Sequence, residues 1–477
     1  MKIDQPSDDI YRSILEEVLN EIKPREEDYA KLREAFEIAR SIVDDCLRDL
    51  GKRFEITLQG SFAKDTFLRS DADIDIFLLF DPSQADASWF ENVLVPRLDK
   101  CFRSRGFETI LEYATHPYLT VLVNGIEVNI VPAFRVDDPR NLVSAVDRTP
   151  FHTEYVVKKL SHEQRDEVRL LKKFLKANGI YGAEVGVQGF SGYLVELLIA
   201  AYGSFLNVLR ASLRWRAYET CIDIEGYYRG EEECLKSFPK SVLVVVDPVD
   251  PKRNAAAAVS LKSFATFKTL SALFLRCPSR KFFEVNSYVP SFEELERIEN
   301  LRREELDVAT LFIVFEIAKK VPDVVWGQLR KLERIVVKKL PEFGYHATYV
   351  DSWVSKNLDL AVMIVEIAGY RAKHYLHQGP PAYDPQNAVR FVEKNLGSVV
   401  GPWIWIDGKL YTYRAKKPVE EAMEKIVKSL NLSSLNLRRV SMSIERIEYE
   451  DYRRWLYEAL TRSRLRELLS SCIEHQR

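Results

Sequence analysis

Asp73 and Asp75 open the hydrophobic run Asp73-Ile74-Asp75-Ile76-Phe77. In a strand, successive side chains alternate faces, so the two carboxylates share one face while Ile74 and Ile76 share the other. Neighbouring carboxylates repel each other, and a divalent cation relieves that repulsion. Hard oxygen ligands of this kind suit Mg²⁺, which also binds nucleotide phosphates. A short way upstream a strand pattern ends in Gly60-Ser61, with Lys64 just beyond. A Gly-Ser turn can offer backbone N–H groups and a hydroxyl to phosphate oxygens. Together these parts suggest two-metal phosphoryl transfer. One ion lowers the pKa of an attacking 3′ hydroxyl, and the other holds a triphosphate and its leaving pyrophosphate. A lone Asp-x-Asp reads equally well as solvated surface acids. Its place at the head of a hydrophobic strand, behind a Gly-Ser turn, is what makes the pattern specific.

The elements that must hold these residues are legible around them. Residues 8–50 read as two amphipathic helices broken near Lys23-Pro24. Strand patterns follow at 54–59, 73–80, 118–123 and 126–131, and Asn124-Gly125 between the last two signals a hairpin. The expectation is a mixed sheet flanked by helices. Residues 165–178 read as a basic amphipathic helix stopped by Asn178-Gly179. On it Arg165, Arg169, Lys172 and Lys176 fall on one face, a stripe that faces either phosphates or solvent. Residues 243–247 look like a buried strand turning at Pro248, and beyond about 287 helix and strand alternate again. A long helix is expected over 448–470, carrying Arg453, Arg454, Arg462, Arg464 and Arg466. Its basic side reads as solvated, as a tRNA backbone contact, or as a homodimer contact.

The Gly60 to Phe77 segment resembles the nucleotidyltransferase superfamily typified by DNA polymerase beta, and more narrowly the archaeal-type (class I) CCA-adding enzymes. The resemblance continues through His116-Pro117-Tyr118, Gly125-Ile126-Glu127-Val128-Asn129 and Asp147-Arg148-Thr149-Pro150-Phe151-His152. It runs on through Leu171-Lys172-Lys173-Phe174, Asn178-Gly179-Ile180-Tyr181-Gly182 and Gly189-Phe190-Ser191-Gly192-Tyr193. It resumes in Asp247-Pro248-Val249-Asp250-Pro251-Lys252-Arg253-Asn254. It is close over residues 55–285 and looser through Lys320-Val321-Pro322 and His377-Gln378-Gly379-Pro380, the latter read as an exposed turn near RNA or a structural turn.

This resemblance implies an α+β multidomain chain. A polymerase-beta-like catalytic head (1–157) is followed by a helical neck (158–286) that reads triphosphate and base. An α/β body with a helical tail (287–477) then grips the tRNA acceptor arm. The implied activity is template-independent addition of CCA to the tRNA 3′ end from CTP and ATP, with Mg²⁺. By the same resemblance Ser61, Lys64, Thr149, His152, Lys172 and Tyr181 contact the incoming nucleotide, and Arg253 reads the base. Taken singly, His152 reads equally as a packed histidine, Tyr181 as a loop anchor, and Arg253 as the partner of Asp247 or Asp250. C and A both present a ring-nitrogen acceptor beside an amine donor, whereas U and G present an N–H beside a carbonyl. One fixed donor, Arg253, with a tRNA phosphate as acceptor would select C and A together.

One position departs from the family. Its third catalytic carboxylate, an aspartate on the strand after the hairpin, is matched here by Asn129. An amide oxygen can ligate a metal, so Asn129 stays in the expected set with Asp73 and Asp75, but it brings no charge. Glu127 lies on the same face, roughly 6–7 Å along the strand. Three readings stay open: an engineered inactive variant, a tRNA-end binding paralogue, or an enzyme active through a rearranged carboxylate set.

The whole chain sets the outer bounds. Its 477 residues exceed one core, and a net charge of −2 confines any RNA surface to local patches. Six scattered cysteines without a CxxC read as reduced thiols, against zinc or a disulfide framework. The acidic N-terminus is unlike a signal peptide, and the longest apolar run, near 193–202, is interrupted by Glu196. A cytoplasmic protein without a membrane partner is expected.

Overall fold

Proline lacks an N–H and disfavours helix before it, so the first helical pattern breaks at Lys23-Pro24. The computed structural model, which describes residues 7–113, 116–319 and 321–474, has α1 (Asp8–Ile22) and α2 (Glu26–Leu47) on either side of that break. Five strands follow: β1 (Phe54–Gln59), β2 (Ile74–Phe80), β3 (Thr109–Tyr113), β4 (Pro117–Val123) and β5 (Ile126–Phe134). Helix α3 (Val95–Ser104) lies between β2 and β3. The sheet order is β1-β2-β5-β4-β3, with only the β2–β5 pair parallel. The mixed sheet expected from the sequence is present. Asn124 (φ 50°) and Gly125 (φ 81°) turn the β4–β5 hairpin, where an ordinary side chain would strain the backbone.

Helices α4 (Thr149–Lys159), α5 (His162–Ala177), α6 (Gly192–Tyr202), α7 (Phe205–Ser212) and α8 (Leu261–Arg276) come next. Helix α5 starts earlier than its basic stripe suggests, because Ser161 and Gln164 form a reciprocal capping box. Residues 1–285 and 468–477 make one compact unit, and residues 286–467 make another. The first unit has two large cores. One packs α2 and α3 against the sheet through Ala39, Ile76, Leu98 and Ile130. The other joins Phe174, Leu198, Phe205 and Phe267 with Val18 and Ile22 of α1, so the first helix packs with the segment read as neck rather than with the head. The apolar α6 and α7 lie in this second core, and no single helix among the described residues is long and apolar enough to cross a membrane.

The second unit holds α9 (Phe292–Glu305), β6 (Val308–Ile317), α10 (Pro322–Lys339), β7 (His346–Val354), β8 (Leu360–Ala368) and β9 (His374–Pro381). It continues with α11 (Pro385–Lys394), β10 (Lys409–Ala415), α12 (Val419–Lys428), β11 (Leu435–Ser441) and α13 (Glu450–Thr461). An antiparallel sheet β11-β6-β8-β7 is covered by α10 and α12 through Leu329, Val336 and Met423, and by α9 and α13 through Leu295 and Leu456.

Three expectations are corrected. The single helix over 448–470 is two, α13 and α14 (Arg464–Glu474), because Arg462 takes a left-handed conformation (φ 49°) and its guanidinium binds Glu366 rather than solvent. Of its fellows, Arg453 donates to the Pro290 carbonyl and Arg454 pairs with Glu450. His377-Gln378-Gly379-Pro380 is no turn but part of β9, with the His377 ring stacked on Phe391. Lys320 lies outside the described residues. The cysteines are not reduced: Cys46–Cys101 and Cys221–Cys234 are disulfides, and Cys277 is also disulfide-bonded. Folding brings Cα atoms 55 positions apart in sequence to 6.0 Å, a proximity that linear spacing hides.

Candidate active site

Strand β2 is central in the sheet, and its register places Asp75 between Gln59 of β1 and Asn129 of β5. Gly60, the residue after β1, has φ +70°, and a Cβ there would lie 1.8 Å from Asp75 Oδ2. Only glycine lets the Gly-Ser turn close this tightly on the carboxylate. Asp73, Asp75, Ser61, Lys64, Lys172 and Tyr181 line one cleft of about 540 Å³. Glu127 and Glu196 also border it.

Burial pushes the Asp75 carboxyl up to about 6, and the Asp73 charge adds to the effect. A hydrogen bond from Asn129 and the nearby Lys64 charge oppose it. The two carboxylates thus repel each other in the cleft, and the nearby Lys64 charge only partly offsets that repulsion. Oxygen donors in that state fit a divalent cation. Asn129 takes a different part. Thr120 Oγ1 donates to Asn129 Oδ1 at 2.9 Å, and Asn129 Nδ2 donates to Asp75 Oδ1 at 3.1 Å. The amide therefore meets Asp75 through its N–H, with its oxygen turned to Thr120.

On the opposite wall Lys64 Nζ donates to Glu196 Oε2 at 2.7 Å, and Thr66 Oγ1 donates to Glu196 Oε1 at 2.6 Å. Lys172 Nζ donates to the Thr66 carbonyl at 2.9 Å and lies 3.7 Å from Glu196 Oε1. Burial lowers the Lys172 ammonium to about 8, against the pull of Glu196. Burial alone would raise Glu196, but Lys64 and Lys172 outweigh it and hold its carboxyl low. Burial also raises the Tyr181 phenol, helped by the Glu196 and Asp73 charges, and Lys176 Nζ sits 4.8 Å from its ring centroid.

The other expected nucleotide contacts meet elsewhere, around the buried Asp247. His152 Nε2 lies 2.9 Å from Asp247 Oδ2, Arg253 Nη1 lies 2.8 Å from the same oxygen, and Tyr193 OH donates to Oδ1 at 2.9 Å. The His152 and Tyr193 rings stack at 3.8 Å. Burial tends to raise Asp247, but His152, the Val249 N–H and Arg253 dominate and hold it far below the carboxylate range. Burial lowers the His152 pKa despite that anion. Thr149 opens α4 and borders neither Asp247 nor the cleft through a hydrogen bond of its side chain among the described contacts.

Residues 39–152 match the model of a nucleotidyltransferase domain, 166–284 that of the second domain of tRNA nucleotidyltransferase, and 308–449 that of the C-terminal domain of CCA-adding enzyme. A CCA-adding enzyme of Pyrobaculum islandicum is 38% identical over 402 residues, covering 82% of this chain and 88% of its own. The chain belongs to the CCA-adding enzyme family. A second CCA-adding enzyme, from Sulfurisphaera tokodaii, is 38% identical over 416 residues, covering 87% and 91%. Among solved structures, the Cid1 poly(U) polymerase bound to MgATP superposes with a TM-score of 0.47 at 16% identity, over 58% of this chain and 100% of that one. The mixed sheet that holds Asp75, with Asp73 just before it, thus lies in a nucleotidyltransferase domain, of a superfamily that works with a divalent metal.

In this CCA-adding family member the basic stripe of α5 is not uniform. Arg169 is fully buried and donates to the carbonyls of Phe67 and Asp65 and to the carboxylates of Asp65 and Asp166. It anchors the segment after the Gly-Ser turn, where Asp65 has φ +54°. Arg165 faces Asp65 at 3.5 Å, whereas Lys172 and Lys176 both line the cleft, Lys176 paired there with Asp71 and Lys172 beside Lys64. The sequence reading passed over Glu196, Thr66 and Tyr193, whereas the pairing of Arg253 with Asp247, one of the two acids offered for it, is present. For Glu196 a signal existed: a lone carboxylate inside an apolar helix must be paired once buried.

Proposed function

We propose that this chain extends the 3′ end of tRNA by C, C and A without a template, drawing on CTP and ATP. The observation that carries this reading is the meeting of Asp73 and Asp75 with Ser61, Lys64, Lys172 and Tyr181 in one cleft. Ser61, Lys64, Lys172 and Tyr181 take the triphosphate, the lysines answering negative charge that grows on the leaving pyrophosphate. Thr149 and His152 add nucleotide contacts from α4, outside the lining of that cleft. Asp73 and Asp75 hold Mg²⁺, which when bound supplies charge neutralisation at the transferred phosphate and acidifies the 3′ hydroxyl, as in two-metal transfer. Arg253, tethered to Asp247, keeps N–H groups for the base edge, and a U or G there leaves buried polar groups unpaired at roughly 1–3 kcal/mol each. Residues 1–157 act as catalytic head, 158–286 as the neck that reads the nucleotide, and 287–477 as body and tail on the tRNA acceptor arm. The work is cytoplasmic, by a monomer or homodimer.

A second reading rests on the Asn129 to Asp75 hydrogen bond. A neutral donor in place of a carboxylate weakens the cation next to the attacking hydroxyl, leaving a chain that binds tRNA ends and nucleotide without turnover. Incubation with tRNA ending at the discriminator base, CTP, ATP and Mg²⁺, beside Asn129→Asp, separates the two. CCA addition by both proteins supports the enzyme. Addition by the Asp variant alone supports the binding protein, and addition by neither despite tRNA binding removes the catalytic reading.

A further inference from the structure

Glu196 has no part in the chemistry described so far, yet it is the most completely enclosed acid of the cleft, 1% exposed. It projects from the apolar helix α6, and its two carboxylate oxygens take different partners. Oε2 accepts from Lys64, which follows the Gly-Ser turn, and Oε1 accepts from Thr66. Lys172, from α5, closes the group by donating to both oxygens of Thr66 and standing 3.7 Å from Glu196 Oε1. Three segments distant in sequence thus meet on one carboxylate.

The charge count on this wall is informative. Within this cluster two ammonium groups and one carboxylate leave a surplus of one positive charge, in a cleft that Asp73, Asp75, Glu127 and the Lys176–Asp71 pair also line. Two buried ammonium groups without a counter-ion would repel each other, and one would shed its proton. One carboxylate between them offsets that repulsion. An ammonium has three N–H donors. Among the described contacts Lys64 spends one, on Glu196, and Lys172 two, both on Thr66. Donors therefore remain for an anion entering the cleft.

We propose that Glu196 is a positioning residue that holds Lys64 and Lys172 side by side and keeps Lys172 cationic, presenting them as one site for the phosphate groups of the incoming nucleotide. This rests on the reading that the cleft takes a triphosphate. Glu196 does not touch the substrate; it acts through the two lysines. The groups that set the Lys172 charge come from each element around it: Glu196 on α6, Lys64 after the Gly-Ser turn, Arg169 on its own helix, and Asp73 before β2. Of these Glu196 is the nearest acid, so its removal neutralises Lys172 within the working pH range.

The test is calorimetric binding of inorganic tripolyphosphate in Mg²⁺ buffer to the full chain, to Glu196→Gln and to Lys172→Met, from pH 6 to 9. The glutamine keeps the shape and one acceptor, for Lys64, removes the charge and turns an N–H donor to Thr66 Oγ1, which can accept it. At pH 8 Glu196→Gln is expected to bind about tenfold more weakly than the unaltered chain, with most of the affinity restored at pH 6 as Lys172 regains its proton. Binding of Glu196→Gln equal to that of the parent across the range overturns the proposal. So does a loss that is the same at every pH, the signature of a merely structural role. Should Glu196→Gln not fold, Thr66→Val removes the hydroxyl shared by Glu196 and Lys172 and is expected to weaken binding severalfold at pH 8 only; unchanged affinity overturns the proposal. If the parent chain itself fails to bind tripolyphosphate, or Lys172→Met binds as the parent does, the triphosphate reading of the cleft falls first.

Discussion

Asn129 stands beside Asp75 in the parallel register of β5 and β2 and donates its amide N–H to the Asp75 carboxylate at 3.1 Å. The contact tempers the raised Asp75 pKa, so it favours the carboxylate in the absence of a cation. An aspartate at 129 would do the reverse. It would remove the donor and add a third negative charge, which only a cation can offset. Asn129→Asp is therefore expected to lower the melting temperature in EDTA by several degrees and to bind Mn²⁺ roughly tenfold more tightly, since added ligand charge strengthens hard-cation sites. Thermal scans with and without metal check both signs. A variant that is as stable as the parent in EDTA and gains no metal affinity removes this account of Asn129.

The Asp75 carboxyl, pushed up to about 6 from 3.8, links stability to pH. A folded-state value above the unfolded one favours the protonated form. Its stabilising contribution is complete below about pH 4 and is lost as pH rises through about 6. Metal-free protein at pH 7.5 thus carries an ionised Asp75 at a cost, reduced by the water in the cleft. Asp75→Asn, which cannot ionise, is expected to be more stable than the parent in EDTA at pH 7.5 by roughly 1–2 kcal/mol, and no more stable at pH 4. Urea denaturation at the two pH values measures the difference. The same variant should lose the stabilisation that Mg²⁺ gives the parent.

Arg169 illustrates where sequence reasoning stopped short. Its spacing with Arg165, Lys172 and Lys176 is true helical spacing, and α5 is there as expected. What periodicity cannot supply is the neighbour across the chain: Asp65 and Phe67 close over Arg169, while the cleft opens beside Lys172. Asp73 and Asp75 were legible because the signal is local: the strand starts one residue later than expected, at Ile74, yet both acids line the cleft. The hairpin of Asn124-Gly125 was legible because turn chemistry is local. Glu196, the gathering of His152 and Tyr193 on Asp247, and the Cys46–Cys101 bridge were not, since their partners lie more than fifty positions away, whereas the local Arg253–Asp247 pair was within reach.

Removing the Arg169 guanidinium leaves Asp166 with the half-exposed Lys23 and Asp65 with the partly buried Arg165 and Tyr29. Arg169→Met is expected to cost about 3–5 kcal/mol in global stability, the penalty of half a buried ion pair. Because the pair also fixes Asp65 after the Gly-Ser turn, the variant should show a raised KM for nucleotide at temperatures where it is still folded. Denaturation curves and KM for CTP test the two parts. A loss below about 1 kcal/mol would mean that Asp65 finds other donors.

The Cys46–Cys101 bridge closes a loop of 55 positions that ties α2 to α3 behind the sheet. Constraining so long a loop in the unfolded chain stabilises the fold by about 2–4 kcal/mol. Replacing both cysteines by serine is expected to lower stability by that amount while leaving the affinity for tripolyphosphate unchanged, because neither residue borders the cleft. Guanidinium denaturation of the variant, beside the parent with and without reductant, checks the figure.

Asp247 gathers His152, Tyr193 and Arg253 on one carboxylate, and it is the group that limits where the Arg253 guanidinium can point. Asp247→Asn keeps the shape and an acceptor but gives up the ion pair. If Arg253 selects C over U by meeting a base edge with a fixed donor, a loosened guanidinium should follow either base. The ratio of kcat/KM for CTP to that for UTP is expected to fall about tenfold, equivalent to roughly 1.4 kcal/mol of lost discrimination. Tripolyphosphate binding should stay as in the parent, since the Lys64 and Lys172 wall is held by Glu196 and not by Asp247. An unchanged ratio with a uniformly lower kcat would mean that Asp247 supports the fold around Tyr193 and His152 and that the base is read elsewhere.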